Sequence, residues 1–77
     1  MAFEVRVVNK DDEGLEGLRV CLEFTDLTRG MTDDEYTDLQ GSAYFDGFDE
    51  GPVRIYVDGR DSGEYYYESG GCVTLTR

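Results

Sequence analysis

Seventy-seven residues allow one domain with one small core. The chain carries eighteen acids against seven bases, a net charge of −11, which repels nucleic acid and anionic membrane surfaces and makes both poor partners. No apolar run approaches the ~20 residues needed to span a bilayer, so no membrane insertion is expected. The ten aromatics and 39% apolar content exclude a disordered acidic tail.

The first predicted strand, residues 3–7, alternates cleanly and buries Phe3, Val5 and Val7. No basic, then apolar, leader is visible ahead of it, so the chain is expected to stay where it is made or to be a mature or excised piece. A polar loop over residues 9–17 follows, with Leu15 as its one apolar plug. The second strand, residues 18–24, is the most regular. It turns Leu18, Val20, Leu22 and Phe24 inward and Arg19, Cys21 and Glu23 outward. Residues 25–33 form a connection broken at Gly30, and a short third strand leads into the central turn.

That turn is Thr37-Asp38-Leu39-Gln40-Gly41. The Asp38 carboxylate can accept from N–H groups just downstream, and Gly41 can take the positive φ that closes the turn. The fourth strand follows, with Ala43 and Phe45 inward. In the next loop Phe48 caps the core, and Pro52 opens the fifth strand, where a missing N–H is tolerated. Val53, Ile55 and Val57 face inward there, leaving Arg54 and Tyr56 outward. Residues 58–63 form a hairpin loop, residues 64–68 the sixth strand and residues 72–76 the seventh, which buries Val73 and Leu75. Short strands, regular turns and no helical period predict an all-β sandwich.

The alternating first strand, the Gly-Leu loop, Thr37-Asp38-x-x-Gly41 before Tyr44-Phe45, Gly51-Pro52 and a strand closed by Asp58-Gly59 together resemble the carboxypeptidase regulatory-like domain. That domain belongs to the prealbumin (transthyretin-like) superfamily, close to collagen-adhesin B-type repeats. The resemblance covers residues 3–59 and implies a seven-stranded antiparallel Greek-key β-sandwich of prealbumin type. In strand order its two sheets would be third-second-fifth-sixth and fourth-first-seventh. Cys21 and Cys72 would then lie on outer faces of opposite sheets, beyond disulfide reach. Some collagen-adhesin repeats join a first-strand Lys to a last-strand Asn. Here Lys10 is in place, but residues 72–77 hold no Asn or Asp, so no such cross-link is expected.

The chain has no histidine, which removes the commonest general base and metal ligand; the histidine-dependent hydrolases of this superfamily therefore do not carry over. Neither thiol has an activating neighbour in sequence. No enzyme activity and no cofactor are expected. Up-and-down strands would gather acidic loops 11–16, 38–41 and 58–61 at one end, which keeps a calcium-stabilised extracellular module open as an alternative. The near-absence of lysine also suits either an ordinary acidic domain or one adapted to high salt.

The sharper candidate is aromatic. If Tyr66 alone of strand six faces inward, then Arg54, Tyr56, Tyr65 and Tyr67 share one outer face, a composition enriched at interface hot spots. The opposite parity buries Tyr65 and Tyr67 and leaves Tyr66 as surface. The expected function is a non-catalytic module that binds another protein or self-assembles; the alternative partner is a glycan stacked on the tyrosines.

Overall fold

A computed structural model describes residues 1–26 and 30–77. These form eight strands: β1 (Phe3–Val8), β2 (Arg19–Phe24), β3 (Gly30–Met31), β4 (Glu35–Tyr36), β5 (Ser42–Phe45), β6 (Gly51–Val57), β7 (Arg60–Tyr67) and β8 (Cys72–Thr76). The predicted connection over residues 25–33 falls partly on 27–29, outside the described residues; its far end holds β3. Among the described residues no helix is long and apolar enough to cross a membrane.

The strands make two sheets, one in the order β5-β1-β8 and one in the order β3-β2-β6-β7, with β4 also paired to β2. β3 pairs with Glu23 and Phe24 and β4 with Arg19 and Val20, so the two short strands are halves of one interrupted edge. That interruption makes eight strands where seven were expected. A second correction concerns direction. β8 runs parallel to β1 rather than antiparallel, with Val5 opposite Val73 and Val7 opposite Leu75. A parallel pair cannot be closed by a hairpin, and here almost the whole chain lies between its two members.

Alternation places the core as the sequence suggests for β1, β2, β5 and β6. Phe3, Val5, Val7, Val20, Leu22, Phe24, Ala43, Phe45, Val53, Ile55 and Val57 all lie between the sheets. Leu15 and Leu18 pack against them from the first long loop. Phe48 caps the lower end, its ring 5.6 Å from Phe24 and 5.9 Å from Tyr67.

The upper end is tied by the central turn. Asp38 Oδ1 accepts from the N–H groups of Gln40 (2.9 Å) and Ser42 (3.0 Å), and Gly41 sits at φ 83°. Gly41 also lies against the first long loop. A Cβ built on it would stand 2.3 Å from the Val7 carbonyl oxygen and 2.8 Å from the Gly14 Cα, so no side chain fits. Thr37, the first residue of the turn motif, is buried beside this turn, a burial the sequence does not signal. Its hydroxyl donates to the Leu15 carbonyl and accepts from the Leu18 N–H, stitching the loop to the start of β2.

Candidate functional site

The outer face of the five-stranded sheet is fixed by cross-strand register. In an antiparallel ladder, directly opposed residues share a face. Tyr56 lies between Cys21 and Asp61, Arg54 between Glu23 and Glu64, and Pro52 opposite Tyr66. Met31 opposite Glu23 and Tyr36 opposite Arg19 extend the same face across the interrupted edge.

β7 departs from the expected parity. The hairpin closes at Asp58-Gly59, whose φ values of 51° and 81° are those of a two-residue type I′ turn, so Arg60 faces Val57. Continued without interruption, this register would set Glu64 opposite Val53 and Tyr66 opposite Gly51, turning Tyr66 inward. Instead Tyr56 faces Asp61 while Arg54 faces Glu64, so two steps on β6 are matched by three on β7. The extra residue is a β-bulge, and beyond it every side chain of β7 changes sides.

Tyr65 therefore comes opposite Val53 and packs against the core, its hydroxyl donating to the Ser62 carbonyl. Tyr67 is 1% exposed and lies 5.1 Å from Phe3 on the other sheet and 5.6 Å from Phe24. Tyr66 is 57% exposed. Of the four expected patch residues, the structure brings Arg54 and Tyr56 together on the outer face and places Tyr65 and Tyr67 inside. Tyr66 is thus surface, as the opposite parity has it, and Tyr36 and Met31 are the exposed large side chains of this face that the sequence reading missed. The run expected as a hairpin loop is strand from Arg60 onward, and Gly63 inside it was the available bulge signal.

The centre of the face is held in place by charge. Arg54 donates from Nη1 to Asp61 Oδ2 and from Nη2 to Glu64 Oε1, both at 2.7 Å, so one guanidinium spans the bulge. Asp61 Oδ1 accepts from the Gly63 N–H at 2.8 Å. That backbone bond, and then Arg54, hold the Asp61 carboxyl below its ordinary range. The Tyr56 hydroxyl donates to Glu23 Oε1 at 3.1 Å, which raises the phenol above its usual value.

Both thiols are free, Cys21 on this face and Cys72 on the outer face of the other sheet. Burial and then neighbouring Asp34 raise the Cys21 thiol; burial and then Glu4 raise that of Cys72. Both are protonated at neutral pH and poorly nucleophilic. Of the three acidic loops, 11–16 and 38–41 meet, with Gly14 against Gln40, whereas Asp58 accepts from the Arg19 N–H and from Arg77 Nη1. Among the described residues, however, no three acidic or cysteine side chains come together in a group that could hold a metal ion. At the lower end Phe24, Met31, Gly47, Phe48 and Asp49 line an open depression of about 320 Å³.

No protein-family model matches this chain, and neither does any curated protein.

Proposed function

We propose that the protein is a non-catalytic β-sandwich module that binds another protein through the outer face of its five-stranded sheet. The observation that carries this reading is the layout of that face. A half-buried Arg54 and Tyr56 are locked by Asp61, Glu64 and Glu23, and the exposed Tyr66, Tyr36 and Met31 surround them. Side chains fixed before binding lose little entropy on docking, and Tyr and Arg are the residue types most often dominant at interfaces. The prealbumin-like Greek key belongs to the same proposal. Counting β3 and β4 as one strand gives seven, and the two sheet orders coincide with those the resemblance implies.

A photo-crosslinking residue at position 66, compared with one at position 44, tests this in the cell that makes the protein. Tyr44 is 50% exposed on the other sheet and serves as the control. Crosslinks to one discrete protein from position 66 alone are expected. Equal crosslinking from both positions, none from either, or adducts to glycan alone would overturn the reading.

A further inference from the structure

The two sheets expose four edges, and three of them are protected. The β3/β4 edge is broken into two-residue pieces flanked by Asp33, Asp34 and Glu35. β7 carries the bulge and the charged Arg60, Asp61 and Glu64. β5 is only four residues long, and at its start the Ser42 carbonyl, which points away from β1, accepts from the Asp38 N–H. Charges, bulges, interruption and cover are the ordinary devices that keep an edge from recruiting another strand.

β8 has none of these. Its sequence, Cys72-Val73-Thr74-Leu75-Thr76, contains no charge, no proline and no bulge, and among the described residues β1 is its one strand partner. The Glu4 N–H donates to the Gly71 carbonyl and the Arg77 N–H to the Val8 carbonyl, so odd-numbered residues of this stretch engage β1. The N–H and C=O groups of Cys72, Thr74 and Thr76 are thereby directed away from β1, at three exposed positions. Val73 and Leu75 lie on the core side, where an added strand would extend the apolar layer.

We propose that the β8 edge accepts an extended, lysine- or arginine-bearing segment of another protein, paired as a fourth strand of the three-stranded sheet. Charge selects the occupant. A second copy would bring its own −11, whereas a cationic segment is drawn in by the field of the whole domain. Side chains alternating apolar and polar would meet Val73 and Leu75 on one side and Cys72, Thr74 and Thr76 on the other. Backbone bonds supply affinity and the alternate side chains specificity. This site is independent of the tyrosine face.

The probe is a blocked seven-residue synthetic peptide alternating valine with threonine and lysine, titrated into the intact protein while amide exchange is followed by NMR. The Cys72, Thr74 and Thr76 amides should slow at least ~10-fold, with those of β7 unchanged. N-methylation of the peptide at one set of alternate residues should weaken binding about tenfold, the equivalent of one or two hydrogen bonds, while methylation at the other set leaves it unchanged. Replacing lysine by glutamate in the peptide should also weaken it. Several results would overturn the proposal. These are no protection at millimolar peptide, protection on β7 instead, equal affinity for both methylated forms, or equal affinity for the glutamate form. Protection of β8 in a peptide-free dimer, seen by sedimentation, would assign the edge to a second copy instead.

Discussion

The two ladders that flank β6 differ in one residue, and that residue decides which tyrosines the protein shows to its surroundings. Between β2 and β6 the pairing runs without interruption from Val20 opposite Val57 to Phe24 opposite Val53, and each residue lies on the side its alternation suggests. Between β6 and β7 the pairing starts in step and slips between Tyr56 and Arg54. Below the slip, Tyr65 and Tyr67 become core and Tyr66 becomes surface. Alternation fixes the faces of a strand only up to a bulge, because one added residue inverts every position beyond it.

The largest effect expected from this difference lies in the three adjacent tyrosines. Tyr67→Ala removes a ring packed on Phe3, Phe24 and Phe48 and should cost about 3–5 kcal/mol in denaturant unfolding, whereas Tyr66→Ala should stay within about 0.5 kcal/mol. Comparable losses at the two positions would break the comparison.

Next in size is the length of β7 itself. Inserting one glycine after Gly63 should either move Tyr66 inward or force a second extra residue into the ladder. Either result displaces well-packed rings or ladder bonds, at about 2 kcal/mol or more. Deleting Gly63 leaves Ser62 opposite Ile55 and Glu64 opposite Arg54, a regular ladder with the same partners below it. That variant should keep Tyr67 buried, with a change of about 1 kcal/mol or less, as read from unfolding curves and tyrosine solvent accessibility.

A smaller loss is expected from the clamp. Arg54→Gln breaks two partly exposed ion pairs, so it should lower stability only slightly while speeding exchange of the Gly63 amide. Unchanged exchange there would mean that the guanidinium does not hold the bulge.

The smallest effect is one of pH. Asp61 is held below its ordinary value by the Gly63 N–H and Arg54, and Asp58 by the Arg19 N–H and Arg77. A carboxyl lowered on folding contributes stability above its unfolded pKa and loses it as pH falls through the lower folded value. Both groups should therefore titrate below the ordinary aspartate value when followed by carboxyl-carbon NMR. The Gly63 amide shift should move with Asp61. Titration of Asp61 at the ordinary aspartate value would remove its bond to the bulge.

Much of this molecule is legible in its residues. Thr37 to Gly41 announced a turn because a carboxylate two residues from a free N–H and a glycine three beyond it form a local device that needs nothing distant. The alternation of β1, β2 and β6 announced the core for the same reason: a two-residue period marks one buried face whichever neighbours supply the other side. Leu15 and the capping Phe48 were apolar residues isolated in polar loops, a hint of a core contact that Leu39, equally isolated but 75% exposed, does not follow. Other features were set by distant partners. Thr37 is buried because the first long loop crosses it, and the parallel pairing of β8 with β1 joins opposite ends of the chain.

The Tyr65-Tyr66-Tyr67 run shows where local reading stops. Three identical side chains carry no pattern of their own, and tyrosine is stable on either side of a sheet. The sequence by itself determined that the protein is all-β, which residues of four strands face inward, and where the chain turns, since period and turn chemistry are local. Only the tertiary structure decided which tyrosines are presented, because register is settled across a ladder: Arg54 on β6 and Asp61 and Glu64 on β7 close around an extra residue that becomes meaningful only once the two strands are paired.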